Sequence, residues 1–197
     1  MIFVVATFNP HKAAELHALL DLPGVTLRSL AEWPDAVAPE ENGATLLENA
    51  RIKARAAVAL TGLPAIADDT GLEVDALNGA PGVHAARYSG PGATYASNVA
   101  KLLQELAGVP EEKRTARFKT VCVASWPDGQ ELSAEGSLAG MITEAPRGES
   151  GFGYDPVFVP KGETRTYAEL SDDEKNALSH RSRAARSLRA LLLALSQ

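Results

Sequence analysis

Two adjacent carboxylates, Asp68 and Asp69, close the apolar run in LPAIADDTGLEVDAL, residues 63–77. A carboxylate pair leaving a buried strand suits a hard metal ion, acid/base work or a polar turn, and DTG at 69–71 taken alone also fits an aspartic protease. A second acidic pair, Glu40 and Glu41, stands in the Pro-rich, acidic stretch between Leu30 and Gly43, which reads as a loop. Lys12 follows TFNPH, where Asn9 fits a helix N-cap and Pro10 the first helical position. A cation in a first helical turn opposes the helix dipole, so Lys12 with free backbone amides points to an anionic ligand; a surface lysine is the plainer alternative. The loop GFGYDP offers Phe152 and Tyr154 as aromatic faces and Asp155 as an acceptor, with Gly151 and Gly153 leaving room to turn. Lys175, His180 and Arg181 in EKNALSHR are residue types suited to polar recognition.

These groups supply three capabilities that a magnesium nucleotide needs together. Glu40, Glu41, Asp68 and Asp69 can bind a hard cation, Lys12 and Lys53 can balance phosphate charge, and Phe152 can stack on a base. The combination favours nucleotide chemistry.

The elements that must position these residues follow from periodicity. Ile2 to Ala6 read as an apolar strand, followed by a helix with Ala13, Leu16, Leu19 and Leu20 on one face. A second helix is expected from about Ala44 to Leu60, with an apolar stripe of Leu47, Ala50, Ala54 and Val58; Lys53 lies off that stripe. Leu63 to Ala67 read as a buried strand, with Thr70-Gly71 turning the chain after both aspartates. Ser97 to Leu106 read as a helix and Phe118 to Trp126 as a strand. WPDG then turns the chain into Glu131 to Ile142, with a break expected near Gly136. Ser171 and Glu174 form a capping box for a late helix, and Leu188, Leu191, Leu192 and Leu195 mark the packing face of the last one.

Composition narrows the class further. With 45% hydrophobic and 22% charged residues, 197 residues can bury a substantial core as one domain, and the net charge of -6 argues against coating nucleic acid. The one cysteine, Cys122, excludes an intrachain disulfide, and its setting VCVAS reads as a buried strand. Neither MIFVVATFNPHK nor LRALLLAL fits a signal peptide or a membrane span, so a cytoplasmic protein without a membrane partner is expected.

Four separated motifs, TFNPHKAAE, LPAIADDTGLEVDAL, GFGYDP and EKNALSHR, stand in this order across nearly the whole chain. Together they resemble the HAM1/RdgB family of inosine/xanthosine triphosphate pyrophosphatases. The resemblance implies magnesium-dependent hydrolysis of ITP, dITP and XTP to monophosphate and pyrophosphate, which keeps these nucleotides out of nucleic acid. It also implies a homodimer and an α/β fold: a mixed central β-sheet flanked by helices, with two lobes around a deep cleft, in a single domain over residues 1–197. By similarity, Thr7, Phe8, Asn9, Pro10, His11 and Lys12 surround the triphosphate, with Lys53 assisting; Phe8 stands where many relatives have a small residue. Asp69 would activate water with support from Asp68, Glu40 or Glu41 would join Asp69 on magnesium, and Thr70 would touch substrate. Phe152 would stack on the base, and Gly153, Tyr154, Asp155, Lys175, His180 and Arg181 would recognise it. A Maf-like pyrophosphatase of other nucleotides and a non-catalytic nucleotide-binding module are the competing readings.

Overall fold

Ile2–Val5 form β1, Pro10–Leu19 α1, Thr26–Ser29 β2, Leu46–Thr61 α2 and Ala65–Val74 β3 in the computed structural model, which describes residues 1–195. The two-residue β4 (Pro81–Gly82), α3 (Tyr95–Glu105), β5 (Thr115–Ser125), β6 (Glu131–Ile142), β7 (Phe158–Pro160), α4 (Asp172–Leu178) and α5 (His180–Leu195) complete it. The strands pair in the order β2-β1-β3-β5-β6-β7, with β4 added on β3. β1 runs parallel to β2 and β3, whereas β3–β4 and β6–β7 are antiparallel, so the sheet is mixed. This is the α/β class that the alternating strands and helices imply.

The chain divides into two compact units. The first comprises Met1–Asp69, Thr120–Gly136 and the chain from Arg181 onward. Phe3 to Val5 of β1 and Ala65 to Asp69 of β3 are buried on both faces, while edge strand β2 is not, which is why IFVV and LPAIA read as continuous apolar runs rather than alternating ones. Side-chain parity then sorts the residues. Phe3, Val5, Ile66, Cys122 and Ala124 pack with Leu16 and Leu20 at α1 and with Ala184, Ala185, Leu188 and Leu192 of α5. Val4, Ala6, Ala65, Ala67, Val121 and Val123 pack instead with Ala50, Ala54 and Ala57 of α2. The small alanines of α2 let that helix approach the sheet closely, and its capping box of Thr45 and Glu48 fixes where it starts.

The second unit, Thr70–Lys119 and Ser137–His180, has its own core of Leu72, Val74, Leu102, Phe118, Phe158 and Tyr167 among others. Arg114 is buried there and donates to the carbonyls of Leu106, Val109 and Thr143, so its charge is surrounded by oriented peptide dipoles.

Three local expectations are corrected. Thr70-Gly71 do not turn the chain: β3 runs on to Val74 because Leu72 and Val74 are fully buried in the second core, and the turn comes at Asp75–Asn78. β6 is unbroken at Gly136, because that residue keeps step with buried Leu138, Gly140 and Ile142 on one face. The two late helices expected from the capping box and the leucine face are present as α4 and α5, separated at Ser179, which is extended at φ -64 and ψ 156. Leu188 and Leu192 are core residues, but Leu191 and Leu195 are exposed, so the buried stripe of α5 is narrower than its leucines suggest. No helix among the described residues is long and apolar enough to cross a membrane.

Candidate active site

Asp68 and Asp69 are both buried, and strand parity sends them to opposite faces of β3. Asp68 follows Ile66 toward the α1 and α5 side. Its Oδ2 accepts a hydrogen bond from Arg181 Nε at 3.0 Å and lies 3.5 Å from Lys12 Nζ. Arg181 Nη1 in turn donates to Glu15 of α1. Asp69 follows Ala67 toward α2, where Lys53 Nζ donates to its Oδ1 at 2.6 Å and Asn49 Nδ2 stands 3.5 Å from its Oδ2. Lys53 also reaches Glu41 Oε2 at 3.4 Å. Two neighbouring residues of one strand thus hold two different ionic environments.

Those environments separate the two proton affinities. Burial would raise the Asp68 carboxyl, but Lys12, Arg181 and Lys53 outweigh it and hold the group well below the ordinary carboxylate range. At Asp69 burial prevails over the partial offset from Lys53 and Lys12, so its proton affinity is raised. Burial lowers Lys12, with Asp68 compensating in part. Burial also pulls on Lys53, yet Asp69, Asp68 and Glu41 leave it raised and firmly charged. A pair of carboxylates pushed apart in this way assigns its own roles: Asp68 is a fixed counterion and Asp69 the better proton acceptor.

The turn before α1 differs from expectation in one respect. Asn9 is the N-cap, as its sequence position predicts, but its Oδ1 takes the amides of His11 and Lys12 at 3.0 and 3.3 Å. Thr7 Oγ1 takes the amide of Asn9 at 3.1 Å. Several amides expected to be open to an anion are therefore engaged, and the positive charge of this turn rests on Lys12. Its first helical turn contains no acidic residue. Phe8 and His11 are exposed, Pro10 occupies the first helical position, and Thr70 continues β3 beside Asp69. Glu40 is exposed, whereas half-buried Glu41 is the one turned onto Lys53.

In the second unit, the GFGYDP loop is organised around Asp155. Its buried carboxylate accepts the Phe152 amide at 2.9 Å and pairs with the buried Lys175 ammonium at 2.7 Å. Lys175 Nζ also lies 4.7 Å from the Phe152 ring centroid and 5.6 Å from that of Tyr167, a cation held over two aromatic faces. Gly151 is required by this arrangement: it adopts φ +77, and a Cβ there would meet Asp155 Oδ2 at 2.2 Å. Phe152 remains half-buried and contacts Tyr95 at 6.0 Å between centroids. Gly153 follows it, but Tyr154 is not a second open face, because its ring is buried and its hydroxyl donates to Ala85 O at 2.8 Å. His180 stacks on Phe118 at 4.5 Å and 13°. Arg181, grouped with His180 and Lys175 by sequence, engages the Asp68 and Glu15 carboxylates.

The family model described as the Ham1 family matches residues 3–191. The chain belongs to the Ham1 family. A dITP/XTP pyrophosphatase of Mycobacteroides abscessus is 47% identical over 195 residues, 98% of this chain and 95% of the relative. Another dITP/XTP pyrophosphatase, of Geobacillus kaustophilus, is 50% identical over 181 residues, 92% of this chain and 89% of its own. The solved HAM1 protein of Coxiella burnetii is similar with a TM-score of 0.89 at 41% identity, covering 98% of this chain and 99% of that one.

Two residues of this Ham1 chain that touch the acidic network escaped the reading of its sequence. Glu15 stands three residues after Lys12 on α1, and Asn49 four residues before Lys53 on α2, spacings that place each pair on one helix face. A fully buried asparagine beside the alanine stripe of α2 is a signal that periodicity alone treats as noise. Among the described residues no group of three or more His, Cys, Asp or Glu is placed to hold a metal ion. Glu41 and Asp69 do converge on one cation, Lys53. Two hard oxygen donors without a protein cage suit magnesium, which commonly takes one or two carboxylates and completes its shell with water and substrate phosphate.

Proposed function

We propose that this chain is a magnesium-dependent pyrophosphatase of non-canonical purine nucleoside triphosphates, converting ITP, dITP and XTP to monophosphate and pyrophosphate. In this reading it works as a cytoplasmic homodimer and keeps such nucleotides out of nucleic acid. The observation that carries the proposal is the division of labour at Asp68 and Asp69, one locked among cations and the other raised beside Lys53 and Glu41. The family membership and the names of its relatives support the substrate class.

Water attacks the α-phosphoryl group, its oxygen forms the new P–O bond, and the bond to the bridging oxygen breaks with pyrophosphate leaving. Asp69 takes the proton that water loses, a role that raised proton affinity favours. Lys53 and Lys12 offset charge that builds on the phosphoryl oxygens, and Arg181 keeps Asp68 ionised so that Lys12 is held in place. Magnesium held by Glu41 and Asp69 would neutralise phosphate charge as a Lewis acid.

For the base, Phe152 supplies a half-buried stacking face whose loop is pinned by Asp155 and Lys175. Hypoxanthine and xanthine carry a 6-oxo acceptor where adenine carries an amino donor. Donors of the type offered by Lys175 and His180 suit the former and mismatch the latter, whereas Arg181 is engaged by Asp68 and Glu15. Phe152→Ala is expected to weaken nucleotide binding by about 1–3 kcal/mol. Calorimetric titration checks it, and an unchanged dissociation constant refutes the stack.

The function is tested by following products from matched amounts of ITP, XTP, dITP, GTP, ATP and dTTP, with and without magnesium. Magnesium-dependent release of monophosphate and pyrophosphate from the first three, with little from GTP and ATP, is the expected result. Preferred turnover of dTTP would replace the reading with a Maf-like one, and binding without products would replace it with a non-catalytic module.

A further inference from the structure

Glu41 sits on a loop and Asp69 on a strand, so whatever they do together depends on what fixes the loop against the strand. Lys53 ties them through its ammonium. A second tie is made by Asn49, which is fully buried on α2. Its Oδ1 accepts the Gly43 amide at 2.8 Å, two residues after Glu41, and its Nδ2 faces Asp69 Oδ2 at 3.5 Å. The ring is closed: Glu41, Lys53, Asp69, Asn49, Gly43 and back along the chain.

The orientation of the Asn49 amide follows from its partners. A backbone N–H can only donate, so the Gly43 amide requires the carboxamide oxygen on its side and leaves the NH2 group for Asp69. That NH2 donates only to an acceptor oxygen, so it turns Asp69 Oδ2 toward itself and leaves Oδ1 for Lys53. The contact is long, at the outer limit of a hydrogen bond, so the Asn49 amide orients Asp69 more than it binds it. Gly43 permits the approach: a Cβ there would meet Asn49 Oδ1 and Glu48 Cβ, each at 2.7 Å. Beyond Gly43 the loop is held again, since the Ala44 and Thr45 amides donate to Glu48 Oε2 at 2.6 and 3.2 Å.

We infer that Asn49 is a positioning residue for the reaction, setting the Asp69 carboxylate and the Glu41 loop with one amide. The inference rests on the proposed pyrophosphatase activity and names what organises that site. It separates two functions of one side chain. The oxygen serves the loop and the NH2 group serves Asp69.

Asn49→Asp tests the second without removing the first, because the isosteric carboxylate can still accept the Gly43 amide while the donor to Asp69 is lost. Steady-state hydrolysis of ITP with magnesium is expected to show kcat reduced about 10- to 100-fold with KM little changed, the pattern of a misaligned reacting group. Circular dichroism and thermal melting would show the variant folded. Gly43→Ala is the second variant; by pushing the Asn49 amide it should lower kcat in the same sense. Wild-type kcat in Asn49→Asp, or in Gly43→Ala should Asn49→Asp fail to fold, overturns the inference and leaves the pyrophosphatase reading intact. A wild-type protein that releases no pyrophosphate from ITP removes the activity itself, and the positioning role falls with it.

Discussion

Asp69→Asn is expected to lower turnover of ITP by about 10²- to 10⁴-fold, the range that general-base catalysis supplies. Asparagine keeps the size of the side chain and an oxygen for Lys53 Nζ, now 2.6 Å from Asp69 Oδ1, but it cannot take a proton from water. It also withdraws one of the two carboxylates suited to magnesium, so the loss should persist at saturating metal rather than be rescued by it. Lys12 and Phe152 are untouched, and nucleotide binding should survive with a modest change. Single-turnover measurement of pyrophosphate release beside a binding titration separates the two quantities. Turnover near that of wild type would transfer the role of base elsewhere, and Asp68 is a poor heir because Arg181 and Lys12 hold its proton affinity low.

Asp68→Asn should act on stability instead. Arg181 is 2% exposed and Asp68 1% exposed, so the substitution removes the charge that faces a buried guanidinium and a largely buried ammonium. Breaking a buried pair by neutralising one partner costs about 3–5 kcal/mol, because the remaining cation stays desolvated without full compensation. Glu15 retains a contact to Arg181 and moderates the loss. Chemical denaturation at pH 7 checks the magnitude, and a change under 1 kcal/mol would show that Asp68 does not hold this network together.

The same pair predicts a pH dependence with a definite sign. The Asp68 carboxyl is depressed in the folded protein relative to its ordinary value of 3.8. A depressed acid adds stability that is fully present above the unfolded value and is lost as pH falls from there toward the folded one. The stability difference between wild type and Asp68→Asn should therefore be constant near neutrality and shrink below about pH 4. A difference that grows on acidification contradicts the assignment.

How far these expectations could be read before folding differs from residue to residue. Asn9 and Pro10 announce the start of α1, and Ser171 and Glu174 that of α4, because a cap is a contact between residues two or three apart. The buried strand ending in Asp68 and Asp69 is equally plain from its composition. Its continuation to Val74 is not, since Thr70-Gly71 has turn chemistry and only burial of Leu72 and Val74 in a core assembled from distant segments overrides it. Tyr154 looked like an open aromatic face for the same reason: its partner Ala85 lies 69 residues away.

The α/β class, the family, the inventory of carboxylates, lysines and aromatics, and the alternation that puts neighbouring aspartates on opposite faces of a strand were all legible along the chain. These depend on residue type, local spacing and backbone period. Tertiary structure alone decided what waits on each face: α1 and α5 with Lys12 and Arg181 for Asp68, α2 with Lys53 and Asn49 for Asp69. Proton affinity, ion pairing and the contact of Glu41 rather than Glu40 with Lys53 depend on groups that folding brings within a few ångströms. Arg181 lies 113 residues from the aspartate it holds, a separation on which no local pattern reports.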